Sequence, residues 1–395
     1  MFHIKYLTHI SKTAFALFIA LFLGACGGSG GDSSPPVQPV SYSYTQPNTL
    51  NDGWSTAHAT DLGIDTSVLE QVMQNIIDDR LDFRFIDSLV IIKDGQLLLD
   101  ERVKTSLDFT DDWSGNQDVN LHIINSVTKS FASTLVGIAI DQQIISDVNV
   151  KVHDFFTDKF PIANWNQQKA NITLKNWLTM RHGYLWDEWN VSYLDSSNLN
   201  SQMNASADPI QFLLDRPMAT IPGTSFAYST GVSFGLGRIV QLASNMDLNL
   251  YMEQYLFQPL QINNYDFWAL DGQLHTGSSL YLSNRDMAKL GQLFLDKGLW
   301  NGTRVVSESW VDEATQIHYD NGNWGYGYQW WMRDFVTSGQ TLKCYYADGF
   351  GGQYIFVFPE INAIIAFQGS AYTDEESAQR NVTRIMEQFL LPQLL

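Results

Sequence analysis

Strand-forming patterns lie near both ends of this chain, and helix-forming patterns fill most of the region between them. Near the start, Ser88–Lys93 and Gln96–Arg102 flank Asp94-Gly95, a dipeptide that favours the positive φ angles of a tight type I′ hairpin turn. Later in the chain, the predicted strands are Tyr326–Trp331, Lys343–Tyr346, Gln353–Phe358 and Ala363–Gln368. Because both ends supply strands, we expect one antiparallel sheet of five or more strands flanked by helices, an α/β (α+β) sandwich.

The helix predictions rest on apolar residues that recur every three or four positions. They are Thr66–Asp79 with Asp65, Thr66 or Ser67 as N-cap, a buried helix beginning at Ser126, Leu174–Met180, Pro209–Leu214, Ser233–Ser244, Ser283–Asp296 and Glu375–Leu390. Residues 145–225 also carry many turn signals and tryptophans. This region is therefore predicted as a mostly helical subdomain that forms one wall of a cleft.

The first 25 residues have the pattern of an export signal. Lys5 and Lys12 precede the apolar run Ala14–Leu23, which is too short to span a bilayer comfortably. The run ends in Leu23-Gly24-Ala25-Cys26, which resembles the lipobox of bacterial lipoproteins, in which the cysteine is lipidated and becomes the mature N-terminus. An ordinary cleaved secretory signal with a chance cysteine is the alternative.

The segment after Cys26 is rich in Gly, Ser and Pro and has no apolar periodicity. Residues 26–49 are therefore predicted as a flexible tether, which leaves 50–395 as the folded domain. By resemblance to lipoproteins, Gly27 rather than Asp after the cysteine indicates the outer membrane of a bacterial cell envelope, with the protein facing the periplasm.

Composition limits the possible partners. The formal net charge of -19 argues against nucleic acid, because binding to phosphates requires clustered Lys and Arg. The eight histidines show no H-x-H or H-E-x-x-H spacing, so the sequence implies neither a metal nor a cofactor. Cys344 is the only cysteine besides Cys26, so no disulfide is expected. The expected partners are a small-molecule substrate and, through lipidated Cys26, a membrane.

Ser126-Val127-Thr128-Lys129 is the sharpest local signal of catalysis. Residues three apart on a helix share one face, so the Lys129 amine can act as base towards the Ser126 hydroxyl. The helix N-terminus also favours an alkoxide and a neutral lysine. Taken alone, these four residues fit an N-capping serine followed by a solvated lysine better, so the interpretation depends on other elements.

Two later segments supply that context. Pro222–Thr230 contains Tyr228, whose hydroxyl can relay a proton between nucleophile and leaving group, although a half-buried strand aromatic is the alternative. Ala347–Gln353 contains glycines beside a strand, which let a substrate approach a backbone N–H closely. A β-bulge or hairpin turn is the alternative for that segment.

In this order, the three elements resemble the serine β-lactamase and penicillin-binding-protein superfamily, specifically its class C-like branch. That branch includes D,D-peptidases, esterases and aminohexanoate-dimer hydrolases. The similarity covers roughly residues 50–390, and Pro222-Gly223-Thr224 and Leu280–Met287 also match. The resemblance implies a β-lactamase/transpeptidase-like fold and an acyl-enzyme mechanism.

The resemblance also assigns roles to residues of this chain. It makes Ser126 the nucleophile, Lys129 its base, and Tyr228 the second base and proton donor. The oxyanion hole would be the backbone N–H groups of Ser126 and Phe350. The implied enzyme is a serine hydrolase of carboxylesterase or amidase type.

Departures from the family pattern bear on the substrate. Thr230 stands where lactamases usually have Asn, and Ala347 stands where lactamases and D,D-peptidases have Lys or His, the cation that commonly faces a substrate carboxylate. Arg181-His182-Gly183 replaces the commoner Thr-Ser-Gly. The comparison therefore favours an ester or simple amide over a β-lactam or peptidoglycan. The predicted substrate-binding residues are Thr230, Ala347, Gly349, His182 and Trp186.

Aromatic residues supply a further prediction. Some of Trp186, Trp189, Tyr326, Trp330 and Trp331 are expected to line an apolar cleft that suits acyl or aromatic groups. For His182, a purely structural role is the alternative.

Three rival interpretations remain open. Gly231-Val232-Ser233-Phe234-Gly235 matches G-x-S-x-G, which would make Ser233 the nucleophile of an α/β-hydrolase with His275 or His318. The absence of a His-Gly-Gly motif and of alternating βα units before it argues against that fold. The second rival is β-lactamase or D-alanyl-D-alanine carboxypeptidase activity, and the third is a non-catalytic binding module of the cell envelope.

Overall fold

The computed structural model describes residues 41–107, 110, 114–193 and 195–395. The predicted export signal, Cys26 and the tether up to residue 40 lie outside the described residues. Tyr42 and Tyr44, which the sequence prediction places in the tether, pack on the folded part, and Tyr44 donates to the Leu98 carbonyl oxygen over 2.8 Å. The folded domain therefore begins at Tyr42 rather than at residue 50.

The described strands vary from short bridging pairs to a ten-residue strand. In chain order they are β1 Ser55–Thr56, β2 Ile86–Lys93, β3 Gln96–Arg102, β4 His122–Ile123, β5 Asp266–Phe267, β6 Ala269–Leu270, β7 Gln273–Leu274, β8 Leu280–Leu282, β9 Leu299–Trp300, β10 Thr303–Arg304, β11 Tyr319–Asp320, β12 Gly325–Tyr326, β13 Trp331–Thr337, β14 Gln340–Gly349, β15 Gln353–Phe358 and β16 Ala363–Gly369.

Every predicted helix has a counterpart, although several ends shift. The α-helices are α1 Thr66–Ile77, α2 Thr128–Asp141, α3 Gln167–Ala170, α4 Leu174–Leu178, α5 Leu199–Asn204, α6 Pro209–Leu214, α7 Thr230–Ser244, α8 Leu248–Met252, α9 Asn284–Leu295, α10 Glu308–Ala314, α11 Glu375–Ile385 and α12 Leu391–Leu394. Short 3-10 helices occur at Ala59–Leu62, Leu81–Phe83, Asn125–Val127, Val152–Phe155, Thr157–Lys159 and Pro359–Ile361. Short π-helices occur at Glu253–Phe257 and Met386–Leu390. Among the described helices, none is both long and apolar enough to cross a membrane.

Nine of the strands form one sheet in the order β1-β3-β2-β16-β15-β14-β13-β12-β11. Neighbouring strands are antiparallel except β1 and β3, which run parallel. The predicted hairpin joins β2 to β3, with Asp94 and Gly95 at φ angles of 52° and 72°. The two ends of the chain meet where β2 pairs with β16, so the predicted antiparallel sheet is confirmed.

The predicted strand Tyr326–Trp331 is wrong. Residues 327–330 turn the chain back, so that Tyr326 at the end of β12 pairs with Trp331 at the start of β13. The apolar pattern arises because Tyr328 and Trp330 in this turn are buried in the core. Buried turn residues therefore produced the alternating apolar pattern that is typical of a strand.

The sheet separates two hydrophobic cores, because successive side chains of a strand point to opposite faces. In β15, Ile355 and Val357 join the larger core, whereas Tyr354 and Phe356 join the smaller one. The larger core contains residues of α2, α7, α9 and the region 145–225, and the smaller contains residues of α1, α11 and α12. The turn that precedes α2 packs against β14 and β15, and this contact positions the candidate site.

Candidate active site

Ser126 and Lys129 lie on one helical turn at the start of α2. Ser126 belongs to the 3-10 turn Asn125–Val127, and the α-helix begins at Thr128. This geometry brings Lys129 Nζ to 2.9 Å from Ser126 Oγ. The i, i+3 spacing in the sequence therefore corresponds to a direct hydrogen bond.

The Lys129 amine is buried and makes two further hydrogen bonds. It donates to Thr230 Oγ1 over 3.1 Å and to the Gly277 carbonyl oxygen over 2.7 Å. Burial lowers the pKa of Lys129 to about 7, although the negative charges of Glu188 and Asp348 act to raise it. A lysine with this pKa is partly neutral at pH 7, so it can accept a proton from a serine hydroxyl.

Tyr228 approaches the same pair from the segment before α7. Ser229 caps that helix, and the Tyr228 ring centroid lies 4.9 Å from Lys129 Nζ. Burial raises the pKa of Tyr228 well above its ordinary value, and a hydrogen bond with Ser126 only partly offsets this rise. The phenol therefore keeps its proton and can donate it to an atom bound beside Ser126.

The backbone around Phe350 is held against the turn that carries Ser126. Asn125 Nδ2 donates to the Phe350 carbonyl oxygen over 2.8 Å. At Gly349, the last residue of β14, a Cβ would lie 2.4 Å from the Ile124 carbonyl oxygen, so only glycine fits. This close packing joins the two segments that carry the predicted oxyanion donors, the backbone N–H groups of Ser126 and Phe350.

Glu188 is a buried carboxylate near Lys129 that the sequence prediction did not include. Its oxygens accept hydrogen bonds from Thr230 N at 2.8 Å, Thr230 Oγ1 at 2.6 Å, Trp186 Nε1 at 2.7 Å and Tyr193 OH at 2.9 Å. These four donors satisfy the buried carboxylate. Thr230 therefore connects Glu188 to the Lys129 amine, and the charge of Glu188 partly offsets the effect of burial on the Lys129 pKa.

The other acceptor of Lys129, the Gly277 carbonyl, is held by its own contacts. The Gly277 N–H donates to His275 Nδ1 over 3.1 Å, which assigns the proton to Nε2, 3.2 Å from Asn204 Oδ1. Burial lowers the pKa of His275 to about 3, with the Lys129 charge as a second cause, so the ring stays neutral. A Cβ on residue 277 would lie 2.6 Å from Thr230 Cγ2, so this close packing requires glycine.

Ser233 does not form the alternative triad. It is buried within α7, and its Oγ donates to Gln329 Oε1 over 2.6 Å. His318 instead bonds to the Glu313 carbonyl oxygen at 2.9 Å. The second glycine of the motif, Gly235, serves packing, because a Cβ there would lie 2.4 Å from the Trp177 ring.

A cavity of about 260 Å³ opens beside Ser126. The residues that line it are Ser126, Trp189, Tyr193, Tyr228, Trp324, Trp331, Tyr346, Asp348, Phe350, Glu375 and Gln379. Of the five aromatics predicted for a cleft, Trp189 and Trp331 line this cavity, whereas Tyr326 and Trp330 are buried in the larger core.

Two predicted substrate contacts require correction, because His182 and Trp186 are buried away from the cavity wall. His182 Nε2 bonds to the Ala227 carbonyl oxygen at 2.8 Å, and its Nδ1 accepts from the Tyr184 N–H at 3.0 Å. Trp186 directs its indole N–H to Glu188. Both side chains therefore form hydrogen bonds within the structure around the site, and neither lines the cavity.

Thr230 and Ala347 are also buried, and neither lines the cavity. Thr230 contacts the Lys129 amine, and Ala347 packs into the larger core. Gly349 allows the close approach of β14 to the Ser126 segment. In this part of the strand, Asp348 is the residue whose side chain lines the cavity.

Comparison with protein families identifies the class. The family model described as Beta-lactamase matches residues 84–388, well over half of the chain. The chain therefore belongs to the β-lactamase family, and in coarse terms it is a β-lactamase-fold hydrolase. No curated protein matches the sequence.

Solved structures share the fold at low sequence identity. A Bacillus anthracis protein, described provisionally as a 6-aminohexanoate-dimer hydrolase, has a TM-score of 0.62 and 17% identity, covering 79% of this chain and 82% of its own. A family VIII carboxylesterase has a TM-score of 0.60 and 15% identity, with coverage of 83% and 97%. An octameric penicillin-binding protein homologue from Pyrococcus abyssi has a TM-score of 0.58 and 16% identity, with coverage of 81% and 77%.

Proposed function

We propose that this protein is a serine hydrolase that cleaves an ester or simple amide through an acyl-enzyme. The observation that carries the proposal is the 2.9 Å hydrogen bond between Lys129 Nζ and Ser126 Oγ. Burial lowers the pKa of this lysine to about 7, so a base stands beside the hydroxyl at neutral pH.

The reaction proceeds in two steps. Ser126 Oγ attacks the substrate carbonyl carbon while Lys129 takes the hydroxyl proton, and the backbone N–H groups of Ser126 and Phe350 receive the oxyanion. Tyr228 gives its proton to the leaving oxygen or nitrogen and regains one from Lys129, so the carbonyl–leaving-group bond breaks and an acyl-enzyme remains. Water then attacks the acyl carbon, loses a proton to the Lys129–Tyr228 pair, and Ser126 is released as its hydroxyl.

The cavity disfavours the anionic substrates of β-lactamases and D,D-carboxypeptidases. Among the residues that the structure describes, its lining contains Asp348 and Glu375 and no Lys, Arg or His. A substrate carboxylate would therefore meet like charge rather than a cation. An ester or simple amide without a carboxylate fits this cavity better.

Matched serine variants test the proposal. The Ser126→Ala protein should lose p-nitrophenyl butyrate hydrolysis by at least about a thousandfold, because no nucleophile remains. The Ser233→Ala protein, which loses a buried hydroxyl in α7, is the control and should keep its activity. Turnover that survives in Ser126→Ala would contradict the assignment, and wild-type protein without any turnover would favour a binding module. Rapid nitrocefin hydrolysis would instead favour a β-lactamase.

We also propose that Cys26 is lipidated and anchors the protein in a bacterial cell envelope. The support is the sequence Leu23-Gly24-Ala25-Cys26 after a short apolar run. Labelled palmitate should enter the full chain and the Cys344→Ala control, and should be absent from Cys26→Ala. Equal labelling of all three proteins would contradict this anchor.

A further inference from the structure

The cavity beside Ser126 carries two carboxylates that lack partners. Asp348 projects from β14 and Glu375 is the first residue of α11, and both line the cavity. Within the part of the chain that the structure describes, neither side chain has a hydrogen-bond or ion-pair partner. This contrasts with Glu188, whose carboxylate accepts four hydrogen bonds a short distance away.

The environment of Asp348 makes its negative charge unfavourable in the empty cavity. Burial raises the pKa of Asp348 to about 7, and the charge of Glu375 adds to this rise, whereas Arg333 and Lys129 oppose it. A carboxylate in such surroundings gains most from an added positive charge. Because none of the described lining residues carries a basic side chain, that charge has to come with a ligand.

Aromatic rings form another part of the cavity wall. Trp189 stacks on Tyr228 with centroids 5.2 Å apart and on Trp331 at 6.2 Å, and Tyr228 stacks on Trp331 at 5.7 Å. The Trp189 side chain is 54% exposed, so it is accessible to a bound molecule. Ring faces attract ammonium groups, and quaternary ammonium ions in particular.

We propose that the substrate carries a positive charge, an amine or quaternary ammonium group, which binds between Asp348, Glu375 and the Trp189–Trp331 wall. This inference rests on the proposed function and specifies the substrate class of the same site. The ammonium group lies on the acyl or the leaving-group side of the ester or amide, and Asp348 and Glu375 are specificity-determining residues.

Two isosteric substrate pairs test the charge alone. Butyrylthiocholine is compared with S-(3,3-dimethylbutyl) thiobutyrate for the leaving group, and the p-nitrophenyl esters of 4-(trimethylammonio)butanoate and 5,5-dimethylhexanoate are compared for the acyl group. In at least one pair, kcat/KM should be about tenfold or more higher for the cation. The Asp348→Asn and Glu375→Gln substitutions should each reduce that ratio about fivefold.

Glu376→Gln is the matched control. Glu376 follows Glu375 in α11, but it does not line the cavity, and its nearest basic partner is Arg380 at 3.9 Å. Its activity and its cation preference should equal those of wild type. If a variant fails to fold, inhibition of the wild-type protein tests the cation preference instead. The inhibition constant of choline against neutral-ester hydrolysis should be about tenfold lower than that of 3,3-dimethylbutanol.

The outcomes separate this inference from the proposed function. Neutral esters turned over through Ser126 with no cation preference in either pair would overturn the inference and leave the function. A cation preference that survives both carboxylate substitutions would overturn the assignment to Asp348 and Glu375. Undiminished turnover by Ser126→Ala would instead overturn the proposed function itself.

Discussion

The two sides of the cavity differ in how completely their polar groups are paired. On the catalytic side, Lys129 has three hydrogen-bond partners and Glu188 accepts four hydrogen bonds. On the recognition side, Asp348 and Glu375 have none among the described residues, and exposed Trp189 lies near them. Under the proposed function, the catalytic groups are already held in place by these hydrogen bonds, whereas the proposed cationic substrate supplies the partner of Asp348 and Glu375.

Removal of the base should have the largest effect on the catalytic side. Lys129→Ala should lower kcat for p-nitrophenyl butyrate by about a thousandfold, because general-base assistance to Ser126 is lost. Lys169→Ala is the control, since Lys169 is equally buried but donates to the Ala163 and Leu214 carbonyl oxygens away from the cavity. It should lose stability but retain activity per folded molecule, and an equal loss in both variants would contradict a specific role for Lys129.

Displacement of the lysine's acceptor should have the next largest effect. Gly277→Ala places a Cβ 2.6 Å from Thr230 Cγ2, so the 277 carbonyl has to move away from Lys129 and kcat should fall about a hundredfold. Gly272→Ala is the matched control because its Cβ meets nothing within 4 Å. Its cost is about 1 kcal/mol of stability, since its φ is +73°. Circular dichroism melts measure the loss of stability in each variant, and p-nitrophenyl butyrate hydrolysis measures kcat. Equal kcat values for Gly277→Ala and Gly272→Ala would contradict a positioning role for Gly277.

Neutralisation of Glu188 should move the pH dependence. In wild type, activity should rise as the pH increases through about 7, because Lys129 has to lose its proton to act as base. Glu188→Gln removes a charge that raises the Lys129 pKa, so this rise should move to lower pH. The NH₂ group of the new amide would also face hydrogen-bond donors of Trp186, Tyr193 and Thr230, which it cannot satisfy, so kcat should fall about tenfold. An unchanged pH profile would show that Glu188 does not act on Lys129.

The smallest effect is expected on the aromatic wall of the recognition side. Trp189→Leu should lower kcat/KM for the cationic ester about threefold, chiefly by raising KM. The reason is that the substitution removes an aromatic ring that attracts the ammonium group. Stability should fall by about 1 kcal/mol, because the side chain is exposed but its stacking on Tyr228 and Trp331 is lost. Trp165→Leu, a 43% exposed tryptophan that does not line the cavity, should leave kcat/KM unchanged. Equal losses would indicate a general effect of surface tryptophans.

The sequence predicted the local part of the site because its spacing is local. Ser126 and Lys129 are one helical turn apart, and the hairpin at Asp94-Gly95 depends on two residues. Glu188 and Gly277 were missed because each meets Lys129 or Thr230 only after the chain folds. The available signals were weak: an acid between two tryptophans for Glu188, and a glycine after His275-Thr276 for Gly277.

Apolar periodicity gave a wrong prediction where buried residues do not belong to a regular strand. Tyr328 and Trp330 produce the alternating apolar pattern because the turn 327–330 is buried, not because it is a strand. His182 and Trp186 were predicted as substrate contacts from their residue types. In the structure, His182 bonds to the Ala227 carbonyl oxygen and Trp186 donates to Glu188. At Ala347, the prediction noted the missing cation but did not include the neighbouring Asp348, which lines the cavity only because of how β14 packs in the folded chain.

The central claim is that Ser126 carries the acyl group. A slowly deacylating p-nitrophenyl ester should give a burst of one p-nitrophenol per chain, and peptide mass spectrometry after an acid quench should place the added acyl mass on Ser126. The burst and the adduct should both be absent from Ser126→Ala and present in Ser233→Ala. An adduct on Ser233, or steady turnover without any adduct, would contradict the account.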